Sequence, residues 1–95
     1  MKILALEYQL PSADPDLLEA YQAAQTRRLM ELTRKGIVRE IYTRAEQRES
    51  VLMLECLTPQ EAHDVLQALP LVQAGLVAFE VIPLAPYDGF SRLVG

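Results

Sequence analysis

Apolar and polar side chains alternate from position 2 to position 9, with Leu4, Leu6 and Tyr8 on one side and Ile3, Ala5 and Glu7 on the other. A period of two predicts a strand. Leu10-Pro11-Ser12-Ala13 breaks the pattern, and Asp14 followed by Pro15 supplies an N-cap and a first-turn proline. The period then lengthens to that of a helix, with Leu17, Leu18, Tyr21, Ala24, Leu29 and Leu32 forming an apolar stripe. The helix runs to about Lys35, and Gly36 stops it. Ile37 to Thr43 reads as a second strand, 44–49 as a polar turn, and Val51 to Leu57 as a third strand. Thr58-Pro59-Gln60-Glu61 is a capping box opening a second helix that buries Ala62, Val65, Leu66 and Leu69 and stops at Pro70. After a turn at Gly75, Leu76 to Ile82 predicts the fourth strand.

Strand-helix-strand-strand-helix-strand is the split βαβ order, so the expected fold class is α+β: one ferredoxin-like βαββαβ domain over 1–95 with an antiparallel four-stranded sheet. Two helices cover one sheet face, expected to be the face of Leu4, Leu6, Leu52, Leu54, Val77, Phe79 and Val81. The opposite face then carries Ile3, Val51, Met53, Leu76 and Ile82, interspersed with Glu7, Glu55 and Glu80. Such a face suits a sheet-on-sheet homodimer enclosing a polar cleft. The stiff tail over 83–95, with Tyr87, Phe90, Leu93 and Val94, is expected to pack on the partner subunit.

Composition narrows the classes. Of 95 residues, 51% are hydrophobic, rich for so small a body, which again points to a subunit interface. Nine basic against thirteen acidic residues give a net charge of −4, which argues against nucleic acid as a partner. Arg27, Arg28, Arg34 and Lys35 gather at a helix end, where they complement the dipole. Cys56 is the lone cysteine, so no thiolate metal site or internal disulfide is expected, and a cytoplasmic location fits. The opening apolar run is cut by Glu7 and Gln9, too early for a signal sequence, and no segment predicts a membrane span.

Several segments resemble muconolactone isomerases: Gly36-Ile37-Val38-Arg39-Glu40-Ile41-Tyr42, the run His63-Asp64-Val65-Leu66-Gln67-Ala68-Leu69-Pro70-Leu71, Glu80-Val81-Ile82-Pro83-Leu84, and the early Leu10-Pro11. The resemblance implies a dimeric α+β barrel, assembly of dimers into rings, and a cofactor-free proton shift within a small anionic lactone. The acidic residues that the family carries midway along the first helix fall here on Gln25 and Thr26, and the aromatic before the strand-two arginine is Val38. A more distant likeness to YCII-like proteins rests on Ala74-Gly75, yet their His-Asp pair would fall on Gln25 and Leu69.

A lactone proton shift needs a cation for the substrate carboxylate and a group that shuttles the proton. Arg39 is the expected anion holder, since guanidinium binds carboxylate through two parallel bonds. Glu55 is the expected base, its proton affinity raised by Glu7 or Glu80 in a semi-dry cleft. Tyr42 is the expected donor to an enolate or carbonyl oxygen, with Glu7 and Glu80 as further substrate contacts. Arg39 and Tyr42 share a face only if the strand twists strongly or bulges. His63 reads as a solvated histidine, and no metal site is expected. Two other functions fit the same residues: a non-catalytic dimer that binds a small acid or scaffolds an assembly, and a cofactor-free monooxygenase of the same fold.

Overall fold

The alternation of residues 2–9 does form a strand. In the computed structural model, which describes residues 1–94, β1 is Lys2–Gln9, followed by α1 (Pro15–Arg34), β2 (Val38–Thr43), β3 (Ser50–Glu55), α2 (Pro59–Gln67), α3 (Pro70–Gln73), β4 (Val77–Pro83) and α4 (Ser91–Val94). Local chemistry sets these limits. The Asp14 carboxylate accepts from the Asp16 N–H at 2.8 Å and caps α1. Gly36 takes φ +78° after its end, a conformation that Cβ-bearing residues disfavour. Thr58 Oγ1 accepts from the Glu61 N–H at 3.1 Å, while Glu61 Oε2 reaches back to the Leu57 N–H at 3.0 Å. Pro70 ends α2 as expected but also begins the short α3, a position where its missing N–H costs nothing.

The sheet order is β2-β3-β1-β4, every neighbour antiparallel, which is the ferredoxin-like arrangement. Its register corrects the assignment of faces on β1. Ile3 pairs with Leu54 and Ala5 with Leu52, and across the other edge Ala5 pairs with Val81 and Glu7 with Phe79. The row beneath the helices is therefore Ile3, Ala5 and Glu7, not Leu4 and Leu6. Leu4 and Leu6 lie on the outer face opposite Met53 and Val51. With a side-chain period of two, this exchanges every residue of the strand. Leu76 is also displaced from its expected place: it precedes β4 and is buried with Leu71 and Val77 against Leu18.

The main core joins Ile3, Leu52 and Leu54 to Leu32, Val38, Ala62, Leu66 and Leu69, all buried. The outer face carries Leu4, Leu6, Val51, Met53 and Ile82, half-buried with no helix over them. Beyond β4 the chain extends away with Tyr87, Phe90, Leu93 and Val94 exposed, and α4 buries nothing. The radius of gyration is 15.2 Å and the long axis 56 Å. A closed body of this length would have a radius of about 12 Å. Among the described residues no helix is long and apolar enough to cross a membrane.

Candidate functional site

Helix α1 touches the body unevenly. Its C-terminal half seats Leu29 and Leu32 in the core, whereas Leu17 and Tyr21, expected in the apolar stripe, are 48% and 41% exposed. The row that faces inward is instead Leu18, Gln22, Gln25, Leu29 and Leu32, at helical spacing. Beneath the N-terminal half of α1 lies a cavity of about 750 Å³, lined by Glu7 and Gln9 of β1, Ser50 of β3, Val77 of β4, Thr43 and Arg48 of the hairpin, and Leu71 of α3. Such a volume lies within the range of small-molecule sites.

Glu7 is the buried acid of this cavity, 6% exposed. Its Oε1 accepts from the Ser50 N–H at 2.7 Å. Burial pushes its carboxyl above the ordinary value of 4.5, the Ser50 N–H pulls the other way, and the nearby Glu49 carboxylate adds to the rise. Glu49 is itself bound at the rim, its Oε2 accepting from the Gln9 N–H at 3.2 Å and its Oε1 facing Arg44 at 3.6 Å. Gln25, 3% exposed, accepts a bond from the Leu71 N–H at 3.1 Å through Oε1. Arg48 lines the cavity from the exposed β2–β3 turn and makes no ion pair among the described residues. The arrangement joins a desolvated carboxyl, an oriented carboxamide and a free cation at the opening. That set can hold a small anion and move a proton within it.

The other expected site residues lie elsewhere. Glu80 is exposed and pairs with Leu6 on the outer face. Glu55 also faces outward, and its Oε2 accepts from the Met1 amino group at 2.6 Å. That bond, joined by the charges of Arg39 and Lys2, holds its carboxyl below the usual range, opposite to the raised proton affinity expected. Strand β2 does bulge, between Val38 and Glu40, so Glu40 and Tyr42 pair with Met53 and Val51 on the outer side. Tyr42 donates to Glu40 Oε1 at 2.9 Å and is 59% exposed. Arg39 turns back, its Nε donating to the Gly36 carbonyl at 2.6 Å. Arg39, Tyr42, Glu55 and Glu80 thus stand apart from Glu7, with the sheet between. Glu55 borders a shallower recess of about 530 Å³ with Met1, Lys2 and the start of the tail. His63 is exposed, and among the described residues no three His, Cys, Asp or Glu side chains are placed to hold a metal ion.

Sequence reasoning missed Gln22, Gln25 and Arg48 as cavity residues. One signal was present: Gln22 and Gln25 complete a helical row with Leu18, Leu29 and Leu32, and two amides on an otherwise apolar row mark a polar space. For Arg48, in a polar turn, the sequence carries no such signal.

Known proteins agree with this architecture. Among curated proteins no sequence matches the chain. Among solved structures it is similar to 5-chloro-2-hydroxyhydroquinone dehydrochlorinase from Burkholderia phenoliruptrix AC1100, in complex with 2,5-dihydroxybenzoquinone. The TM-score is 0.72 at 20% identity over 94% of this chain and 98% of that one, a likeness of fold. Residues 4–89 match the family model described as muconolactone delta-isomerase.

Proposed function

The chain belongs to the muconolactone delta-isomerase family, and from that premise we propose that it is a cofactor-free isomerase whose acid–base group is Glu7, working on a small unsaturated lactone that bears a carboxylate. The observation that carries this reading is the buried Glu7 carboxyl, raised in proton affinity and facing a cavity large enough for a small-molecule ligand.

The residues divide the work as follows. Arg48 at the opening draws in the substrate carboxylate, and its planar fork fixes the ring's orientation. The Glu7 carboxylate removes a proton from the carbon beside the lactone carbonyl, and the electron pair moves onto the carbonyl oxygen. The same carboxyl, now protonated, returns the proton to the far carbon of the new double-bond system as the carbonyl re-forms. One C–H bond breaks, another forms, the double bond shifts, and Glu7 ends ionised as it began. A base works best when its proton affinity lies near the operating pH, and burial moves Glu7 that way. Ser50 N–H holds one carboxylate oxygen and leaves the other for the proton. The similar dehydrochlorinase, named for a chlorinated hydroxyhydroquinone, supports a small oxygenated ring as the class of ligand.

The protein acts as a homodimer in this reading, with the uncovered outer face of Leu4, Leu6, Val51, Met53 and Ile82 against its copy and the exposed tail reaching across, and dimers can assemble further into rings. The cytoplasm suits the buried free thiol of Cys56. The test is proton exchange in D₂O with a five-membered unsaturated lactone carboxylate, followed by NMR. The wild-type chain incorporates deuterium and yields the isomer, and Glu7→Gln slows both by about 10²–10⁴-fold. Equal rates in the two proteins overturn the assignment of Glu7. A lactone that raises the melting temperature yet is recovered unexchanged makes the protein a binder, and oxygen uptake with a phenol makes it a monooxygenase.

A further inference from the structure

We propose that Gln25 is a catalytic residue of this site, donating from its Nε2 to the oxygen on which negative charge gathers during the reaction. The inference rests on the placement of chemistry in the cavity at Glu7. Gln25 is 3% exposed, and the other buried residues of its helix are Leu29 and Leu32. A buried amide persists there only if both its ends are used.

One end is settled by chemistry. The Leu71 N–H is a donor, so the atom that meets it at 3.1 Å must be the carboxamide oxygen, and the amide's orientation follows without ambiguity. The NH₂ end then points the other way. No hydrogen bond from Nε2 to protein exists among the described residues, and no buried side-chain nitrogen or oxygen lacks a partner. Nε2 is therefore not sealed in the core; it opens on the cavity that Gln25 lines together with Glu7. An N–H donor held in place by a second bond, set in a recess of the protein, is the device that stabilises an enolate or alkoxide without reorganising. Glu7 supplies only an acceptor when ionised, so the two groups are complementary: one takes the proton, the other holds the oxygen left negative. The substrate class follows. It presents a carbonyl oxygen within the same small ring that carries the acidic C–H.

The experiment uses 4-nitrophenolate, whose ionised oxygen mimics the enolate and whose absorption band moves when it accepts hydrogen bonds. Binding is followed by titration at a pH where the probe is ionised. Gln25→Glu is the informative variant, because a carboxylate oxygen still accepts from Leu71 N–H while both donors are lost. Gln25→Leu removes the two functions together. The proposal expects the wild-type chain to bind with a shifted band, Gln25→Leu to lose at least about tenfold in affinity, as follows when a charged-acceptor hydrogen bond is removed, and both Gln25→Leu and Gln25→Glu to lose the shift. A purely structural role predicts that Gln25→Glu, although its added charge weakens binding of the anion, leaves the band of the bound probe shifted as in the wild-type chain, and that result overturns the proposal. In parallel, Glu7→Gln removes the like charge near the probe and strengthens its binding. If Glu7→Gln has that effect while both Gln25 variants keep the wild-type band shift, Gln25 alone is wrongly assigned. If neither position affects binding, or the wild-type chain does not bind, the site at Glu7 falls with it.

Discussion

Replacing Glu7 separates two effects of its carboxyl. It is the acceptor for a buried backbone N–H, that of Ser50 at 2.7 Å, and it is a charge taken out of water. Glu7→Ala removes both. The Ser50 N–H is left without its acceptor, at a cost of about 1–3 kcal/mol, and the cavity beside it admits water, which favours the lower end of that range. In a domain of this size each kcal/mol moves Tm by about 4–8 °C. Glu7→Gln keeps an acceptor oxygen and removes only the charge. Because the folded carboxyl is raised above 4.5, its stabilisation is complete below that ordinary value and is lost as pH rises through the folded value. Wild-type stability therefore falls, relative to Glu7→Gln, across the window opening near 4.5 and ending above the raised value. The difference then levels off, and its plateau divided by about 1.4 kcal/mol reads out the shift itself. Urea unfolding of the three proteins from pH 4 to 8, at one protein concentration because the chain is read as a dimer, measures all of this. The reasoning fails if Glu7→Gln is as damaged as Glu7→Ala at neutral pH, or if its difference from wild type does not change with pH.

Leu54, fully buried and paired with both Ile3 and Val38, is central to the core; Leu54→Ala should cost about 2–5 kcal/mol in denaturant unfolding, and a loss below 1 kcal/mol would contradict that placement. Arg39→Ala and Glu55→Ala lie across the sheet from the cavity and are expected to keep lactone turnover within about threefold of wild type, an effect of under 1 kcal/mol; a hundredfold loss in either would return the chemistry to the outer face. Truncation after Pro83 removes the exposed Tyr87, Phe90 and Leu93. Sedimentation should then show a weaker assembly from a chain that still folds, and an unchanged association constant would free the tail of any role between subunits.

Much of the fold was legible because its signals are local. Asp14, Gly36 and the Thr58 box each satisfy or release specific backbone groups, and the element limits they imply hold within about two residues. Which face of β1 turns inward was not legible from the strand itself. Leu4, Leu6 and Tyr8 are the larger set, but the helices cover Ile3, Ala5 and Glu7, and the bulk of Leu4 and Leu6 is spent on the outer face. Only pairing with Leu52 and Leu54 decides the matter, and pairing is a long-range property. The site followed the strand: Glu7 was recognised as a candidate but placed with Glu55 and Glu80, from which the sheet separates it. The bulge at Arg39 is likewise a matter of register with β3, without a glycine or proline to mark it.

The most direct test of the account is a crystal structure grown with a five-membered lactone carboxylate. Density beneath the N-terminal half of α1, with the ring against Glu7 and Gln25 and the carboxylate toward Arg48, is the predicted result. Density on the outer face beside Arg39 and Glu55, with the inner cavity holding only solvent, would contradict it.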